Sequence, residues 1–253
     1  MHSIVLMRHG ETEWSRQNRF AGWSDVGLSR QGVQEAKRAG DALAASGWDF
    51  DRCHTSVLRR AIHTLDIVAQ RMDLAAVPVS KSWRLNERHY GSLQGRHRAA
   101  AIDEFGPNLV YSWRREFHAR PPALPDDDPR LPEHDPTYAD LLPEQLPRSE
   151  SHSDTVVRVE PYWREVLAPQ IRSGERALVV SHTSSIRGLV KLIEGLSDEE
   201  IHGFKIATAV PLVYELDQEL RPVDKRYLPT GLAGRARVFV SRIKPRRSSR
   251  WLG

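Results

Sequence analysis

Two short apolar runs, each followed by a histidine, constrain the fold of this chain more than any other feature. Residues 4–7 (IVLM) precede an arginine and His9, and residues 177–180 (ALVV) precede a serine and His182. Continuous apolar runs of this length are typical of strands covered on both faces, as in parallel sheets flanked by helices. If the two strands are parallel neighbours, both histidines lie at the carboxyl edge of one sheet, where open α/β sheets bind ligands.

Helical patterns alternate with these and other strand candidates. The sequence predicts a weaker strand over 50–55, another strand over 213–216, and helices over 29–45, over 58–72 with Ser56 as its cap, and from about 184 to 194. In the helix over 58–72, Arg59 and Arg60 are expected at the solvent edge of the first turn. The alternation predicts one α/β domain over 1–229, with a mostly parallel central sheet flanked by helices.

Residues 119–150 interrupt this alternation, because eight of the sixteen prolines of the chain lie there. Such a segment is either a linker between domains or an irregular excursion that covers a site. Tyr138, Leu141 and Leu142 offer apolar side chains to bury. We therefore expect an ordered excursion on the lid side of a site, within the single domain.

Composition places the chain among globular proteins: of 253 residues, 40% are hydrophobic and 28% are charged. Cys53 is the single cysteine, which excludes an internal disulfide and fits a reducing compartment. The N-terminal apolar run is too short for a signal peptide or a membrane span. The expected location is the cytoplasm, with no membrane partner.

The basic charge of the chain is concentrated at its C-terminal end. Residues 230–253 contain seven basic residues and no acidic residue, so subtracting them from the net charge of +4 leaves −3 for the rest. A basic tail is able to contact nucleic acid, but no recognition motif accompanies this one. We expect a solvated tail or a subunit contact instead, and no nucleic-acid partner.

The two histidine motifs predict an anion site. Small residues after His182 open a helix, whose free backbone N–H groups attract anions, and Arg8 and Arg60 supply planar forks suited to phosphate. The chain has no Walker-type glycine loop, no HExxH motif and no metal-ligand spacing, so we expect no metal. A neutral histidine is then the candidate nucleophile, and Glu87 is a candidate acid for the leaving oxygen.

The same residues resemble those of the histidine phosphatase superfamily. The motifs RHGETEW and SHTSSIRGLVK carry that resemblance, and RFAGWSDVGLSRQG, TSVLRRAIHTL, SWRLNERHYGSLQG, WRREF and PLVYELD narrow it to the 2,3-bisphosphoglycerate-dependent phosphoglycerate mutases. The resemblance runs in order from about residue 3 to residue 228. It implies interconversion of 3-phosphoglycerate and 2-phosphoglycerate in glycolysis and gluconeogenesis, 2,3-bisphosphoglycerate as primer, and a homo-oligomer, either dimer or tetramer.

The resemblance also implies roles for individual residues. His9 would become phosphohistidine, Glu87 would act as general acid and base, and Arg8, Arg60 and His182 would bind the transferring phosphoryl group. Tyr90, Arg114 and Arg115 would hold the carboxylate and the second phosphate of the substrate. The remaining predicted substrate contacts are Gly10, Glu11, Thr12, Glu13, Trp14, Ser15, Ala21, Gly22, Arg88, His89, Arg98, Thr183 and Ser184.

Several positions depart from the family pattern. The family has Asn at Ser15, Thr at Ala21, Lys at Arg98, Gly and Asn at Thr183 and Ser184, and a Pro-x-Gly version of the segment with Ala207 and Ala209. Thr183 and Ser184 lie within the inferred anion site, and serine has a shorter reach than asparagine. Two alternatives therefore stay open: a phosphohistidine-type phosphatase, in which water accepts the phosphoryl group, and a relative that binds phosphorylated ligands without turnover.

Overall fold

A six-stranded sheet organises residues 1–230, which are the residues that the computed structural model describes. Its strands are β1 (His2–Arg8), β2 (Arg52–Thr55), β3 (Val79–Lys81), β4 (Ala177–Ser181), β5 (Leu212–Leu216) and β6 (Pro222–Tyr227). The strand order is β3-β2-β4-β1-β5-β6. The first four strands in this order pair in parallel, and β5 and β6 add an antiparallel edge. This architecture confirms the predicted fold class.

Helices cover both faces of the sheet. They are α1 (Glu13–Arg16), α2 (Arg30–Ala45), α3 (Arg59–Met72), α4 (Arg98–Phe105), α5 (Pro107–Arg115), α6 (His152–Tyr162), α7 (Ala168–Arg172), α8 (Thr183–Glu194) and α9 (Asp198–His202). Ile4 and Leu6 of β1 belong to the core cluster formed with α6, α7 and α8, whereas Val5 and Met7 belong to the cluster formed with α2 and α3. Burial on both faces explains why the four central residues of this strand, 4–7, are all apolar.

The parallel pairing of β1 with β4 aligns the two predicted histidines. Arg8 is opposite Ser181 in the register, and the backbone N–H of His9 donates to the Ser181 carbonyl at 3.0 Å. His182 follows β4 directly and is the residue before α8. The expectation that both histidines lie together at the carboxyl edge of the sheet is therefore confirmed.

Two expectations for the start of α3 are wrong. Ser56 does not cap the helix, which begins at Arg59 after Leu58; the Arg59 amide donates to the Asp25 side chain at 2.8 Å instead. Arg60 is 1% exposed and does not lie at the solvent edge, because the loop over 22–24 folds against the first turn and its carbonyls bind the guanidinium. Arg59 does remain exposed, with 64% of its side chain accessible.

The proline-rich excursion over 119–150 is ordered and packs onto the body of the chain. Three short 3₁₀ turns interrupt it, over Pro132–His134, Pro136–Tyr138 and Pro143–Gln145. Tyr138 is buried, and its hydroxyl accepts a hydrogen bond from the Asn86 side chain at 3.0 Å. The predicted basic tail over 230–253 lies outside the described residues, apart from Thr230. Within 1–230 no helix combines the length and the apolar character that crossing a bilayer requires.

A buried ion pair attaches the edge strand β6 to α8. The Lys225 ammonium lies 2.9 and 3.0 Å from the two carboxylate oxygens of Glu194, and the two side chains are only 8% and 10% exposed. The Tyr214 hydroxyl donates to the same carboxylate. Because a buried charge is costly without its partner, this pair makes the edge strand sensitive to loss of either member.

We predict that Lys225→Met lowers the free energy of unfolding by about 3–5 kcal/mol, since it leaves the Glu194 carboxylate buried without a counter-ion. The double variant Lys225→Met plus Glu194→Gln removes that charge and keeps an acceptor for Tyr214. Urea unfolding should show that the double variant regains much of the lost free energy of unfolding. If the single variant unfolds like the parent, the pair does not stabilise this edge.

Candidate active site

The two histidines at the strand ends form the centre of a cationic cavity. The ring centroids of His9 and His182 are 4.9 Å apart, at an interplanar angle of 60°. His9 lines a cavity of about 420 Å³, together with Arg8, Arg60 and Glu87. His182 is fully buried behind His9 and does not itself line the cavity. The sheet edge therefore assembles the five residues that the sequence singled out for catalysis.

The hydrogen bonding of His9 leaves one ring nitrogen free. Its Nδ1 lies 2.7 Å from the Gly10 carbonyl oxygen, which only accepts, so this assignment places the ring proton on Nδ1. Burial, and then the charges of Arg60 and Arg8, hold the pKa of His9 well below its ordinary value. The ring is therefore neutral at neutral pH, and the Nε2 lone pair is available for nucleophilic attack.

His182 is held by the serine that the sequence analysis had assigned to a helix cap. Its Nε2 lies 2.7 Å from the Ser56 Oγ, and Ser56 Oγ accepts from the Leu58 amide at 3.1 Å. Burial lowers the pKa of His182 well below its ordinary value, with the charge of Arg60 acting in the same direction. Within 1–230 its buried Nδ1 has no hydrogen-bond partner. With the Ser56 hydroxyl donating to Nε2, the proton on Nδ1 is free for a ligand.

Two arginines approach the same point from different elements. Arg60 donates to the carbonyls of Gly22 at 2.6 Å and Ser24 at 2.9 Å, and burial lowers its pKa to about 10. Arg8 follows the apolar run of β1; burial lowers its pKa too, while the charge of Glu87 opposes this shift. Both guanidinium groups remain charged at neutral pH. Fixed cations of this kind stabilise the charge on a transferring phosphoryl group.

Glu87 faces these cations from a loop. Its Oε1 accepts hydrogen bonds from the backbone N–H groups of Ser184 at 3.0 Å and Arg88 at 2.9 Å. Burial opposes ionisation of Glu87, but hydrogen bonds from Ser184 and Arg88 and the charge of Arg60 outweigh it and leave the pKa below its ordinary value. Glu87 is therefore ionised in the free protein. A phosphate bound beside it would raise the pKa and allow the carboxyl group to carry a proton.

A buried arginine holds the loop that carries Glu87. Arg158 donates to the carbonyls of Arg84 at 2.7 Å, Asn86 at 3.1 Å and Glu87 at 3.1 Å. It also forms an ion pair with Glu150 at 2.7 Å, and both of these side chains are 5% exposed. The Arg158 guanidinium thus fixes the loop by donating to its backbone carbonyls, while Glu150 balances the charge of the guanidinium.

Ten further residues predicted as substrate contacts line the cavity: Thr12, Ser15, Ala21, Gly22, Tyr90, Arg98, Arg114, Arg115, Thr183 and Ser184. Thr12 and Ser15 also bond to each other at the start of α1. The Ser15 amide donates to Thr12 Oγ1 at 3.0 Å, and the Thr12 amide donates to Ser15 Oγ at 2.9 Å. Ser15, which stands where the family pattern has asparagine, therefore takes part in the cap of α1 and also lines the cavity.

Six predicted contacts do not line the cavity: Gly10, Glu11, Glu13, Trp14, Arg88 and His89. Gly10 packs so closely on Gly32 that an added Cβ would lie 2.4 Å from the Gly32 carbonyl oxygen. Glu13 forms an exposed ion pair with Arg16. The Arg88 guanidinium is fully buried over the Tyr90 ring, 4.6 Å from its centroid. These residues shape or support the wall of the cavity.

Six residues of the lining were not predicted from the sequence: Arg19, Phe20, His152, Arg187, Lys205 and Ile206. Arg187 follows Thr183 by four positions on α8, so helical periodicity was a signal that could have found it. No local pattern marks Lys205. None of the residues over 119–150 lines the cavity; this segment packs behind it.

Charge defines what the cavity accepts. Among the residues that the structure describes, its lining contains one carboxylate, Glu87, and eight cationic side chains: Arg8, Arg19, Arg60, Arg98, Arg114, Arg115, Arg187 and Lys205. Such an excess of positive charge in a partly desolvated cleft favours a ligand with more than one anionic group. The arrangement is suited to phosphoryl transfer from a small polyanion to His9.

Comparison with known proteins agrees with this geometry. A curated 2,3-bisphosphoglycerate-dependent phosphoglycerate mutase of Nitratidesulfovibrio vulgaris is 52% identical over 228 residues, covering 90% of this chain and 92% of that protein. The alpha-ribazole phosphatase from Shigella flexneri has a TM-score of 0.66 at 22% identity, over 86% of this chain and 92% of that one. A mycobacterial glucosyl-3-phosphoglycerate phosphatase in complex with VO3 has a TM-score of 0.64 at 23% identity, over 85% of this chain and 93% of that one.

The two solved structures share the fold with this protein. The sequence model of the histidine phosphatase superfamily (branch 1) matches residues 4–128 and 128–225, a span that includes both strand-end histidines. The paired strands and the motifs at their ends lead to one conclusion: the chain belongs to the histidine phosphatase superfamily.

Proposed function

We propose that this protein is a phosphoglycerate mutase that interconverts 3-phosphoglycerate and 2-phosphoglycerate through a phosphohistidine on His9, in glycolysis and gluconeogenesis. The observation that carries the proposal is the neutral, buried His9, with its Nδ1 proton held by Gly10, inside a cavity of eight cations. The mutase of 52% identity supports the choice of substrate. 2,3-Bisphosphoglycerate would prime the enzyme by phosphorylating His9.

In the proposed reaction, the free hydroxyl of the bound monophosphate attacks the phosphorus on His9. Glu87 takes the hydroxyl proton, the P–N bond breaks, and 2,3-bisphosphoglycerate forms in the cavity. After this intermediate reorients, His9 Nε2 attacks its other phosphate. The P–O bond breaks, and Glu87 returns the proton to the leaving oxygen. Each cycle thus restores the phosphohistidine and the ionised carboxylate.

The other cations would divide between two tasks. Arg8, Arg60 and the Nδ1–H of His182 would stabilise the charge on the transferring phosphoryl oxygens. Arg114 and Arg115, with Tyr90, would hold the carboxylate and the phosphate that is not being transferred. All but the fully buried His182 line the cavity. We further propose that the protein acts in the cytoplasm on free phosphoglycerates, without a metal, as a dimer or tetramer.

A phosphatase is the second candidate function, and the residues at the start of α8 favour it. Thr183 and Ser184 stand in the cavity wall where the family pattern has glycine and asparagine. A less complete set of donors would hold the bisphosphate intermediate less firmly and expose phosphohistidine to water. Binding without turnover is less consistent with the chain, because His9, Glu87 and both central arginines are present.

We predict that labelled 2,3-bisphosphoglycerate leaves an acid-labile, base-stable label on His9, because phosphoramidates hydrolyse in acid. His9→Ala should abolish the label. His63→Ala, which changes an exposed histidine on α3, should keep it. A label that persists in the His9 variant would identify another nucleophile and refute the proposed mechanism.

We predict that vanadate blocks activity and that excess EDTA does not. Vanadate adopts the five-coordinate geometry of in-line transfer and would bind between His9 and the surrounding cations. A direct assay that follows conversion of 3-phosphoglycerate to 2-phosphoglycerate by ³¹P NMR, without coupling enzymes and with and without the bisphosphate primer, measures both effects. Activity that disappears on chelation and returns with magnesium or manganese would point to a metal-dependent reaction instead.

We predict that Thr183→Gly plus Ser184→Asn raises mutase turnover and lowers the ratio of phosphatase to mutase activity. One restored neutral hydrogen bond is worth roughly 0.5–1.5 kcal/mol, a factor of about two to ten. The Ser184 amide donates to Glu87 through the backbone, so asparagine can keep that contact. Parallel assays of both activities test this; a double variant that loses mutase activity would show that threonine and serine are adapted to this site.

A further inference from the structure

Arg187 is a cavity-lining cation to which the proposed reaction assigns no role. It lies on α8 one turn after Thr183, and both residues line the cavity. Its Nε donates to the Phe204 carbonyl at 2.9 Å, which fixes the guanidinium and leaves its two terminal nitrogens for other partners. Within 1–230 no carboxylate forms an ion pair with Arg187. The side chain is therefore positioned but not neutralised.

Lys205 is the second such cation, and its backbone is fixed on both sides. The Phe204 carbonyl before it binds Arg187, and its own carbonyl accepts from the Tyr227 hydroxyl at 2.9 Å. Farther along, the Ala209 amide donates to the Arg8 carbonyl at 3.0 Å. The segment over 204–209 therefore links Arg187 to the strand end that carries the catalytic histidine.

The backbone of this segment is constrained as well. Ala209 has a φ of +49°, in the left-handed region that residues with a Cβ seldom occupy. Such a conformation persists when the surrounding contacts determine it. Here the hydrogen bond to Arg8 and the burial of Ala209, which is 1% exposed, hold it in place. Lys205 thus extends from an ordered part of the cavity wall.

Arg187 and Lys205 are two of the lining cations without a task in the proposed reaction, and the segment over 204–209 connects them. A phosphoryl group on His9 meets Arg8 and Arg60, which line the cavity beside it. Glu87, the only carboxylate of the lining among residues 1–230, is already bound by the amides of Ser184 and Arg88. A second group with two negative charges would match these two cations, neither of which forms an ion pair with a carboxylate in residues 1–230.

We propose that Arg187 and Lys205 form a subsite for the phosphate of 2,3-bisphosphoglycerate that is not being transferred. This subsite rests on the proposed function and extends it, because it adds two residues to Arg114 and Arg115. It favours the bisphosphate over ligands with a single phosphate. Its contribution is to binding of the primer and of the reorienting intermediate, and not to the chemistry at His9.

The test compares three variants of the full chain. Lys205→Gln removes the charge, Lys205→Arg keeps it, and Lys37→Gln removes a lysine from the exposed face of α2 as a matched control. Titration calorimetry measures the affinity of each for 2,3-bisphosphoglycerate and for vanadate, a single phosphate-shaped anion that belongs at His9. The mutase assay of the parent, run separately, tests the proposed function.

We expect Lys205→Gln to weaken binding of 2,3-bisphosphoglycerate about tenfold, the value of one charge-assisted hydrogen bond. Its affinity for vanadate should stay within about twofold, and Lys205→Arg and Lys37→Gln should bind both ligands like the parent. The proposal is overturned if Lys205→Gln binds the bisphosphate normally, if both ligands weaken equally, or if Lys205→Arg fails to retain the affinity. A parent without mutase activity but with this pattern would keep the subsite and refute the mutase.

Discussion

The parallel pairing of β1 with β4 is the constraint on which the rest of the site depends. It places the two histidines next to each other at the carboxyl edge of the sheet. The hydrogen bond from the His9 amide to the Ser181 carbonyl continues the strand register up to His9. Shifting the pairing by one residue would turn each strand to the opposite face. Since both faces of β1 are buried against helices, the core itself holds the register. The catalytic geometry is therefore as rigid as the centre of the fold.

A second constraint holds Glu87, the proposed general acid and base. Glu87 is on a loop, and loops are seldom precise supports, but Arg158 binds three successive parts of this loop through backbone carbonyls. The cost of burying that guanidinium is offset by its pair with Glu150, whose other oxygen accepts from the His89 amide at 2.8 Å. One buried charge pair thus fixes the chain on both sides of Glu87. Arg158 and Glu150, which do not line the cavity, thus support the loop, while the Ser184 and Arg88 amides bind the carboxylate itself.

The sequence predicted those parts of the structure that have a local signature. Apolar runs identified β1 and β4, and motifs identified His9 and Glu87. The strands at the two edges carry no such run: β3 has three residues, and β6 is held by ion pairs. The burial of Arg60 was missed because it depends on a loop some 40 residues earlier in the chain, which helical periodicity does not report. Lys205 enters the cavity through long-range contacts alone.

In the proposed reaction, the cations around His9 also act on the ring after it has been phosphorylated. With the Nδ1 proton held by Gly10, attachment of a phosphoryl group at Nε2 gives the imidazole a positive charge. The desolvation and the neighbouring guanidinium groups that hold the pKa of the free ring low disfavour that charge as well. Passing the phosphoryl group to an alcohol returns the ring to its neutral form. The ring of the proposed phosphohistidine is therefore a good leaving group, while the same guanidinium groups bind the phosphoryl oxygens.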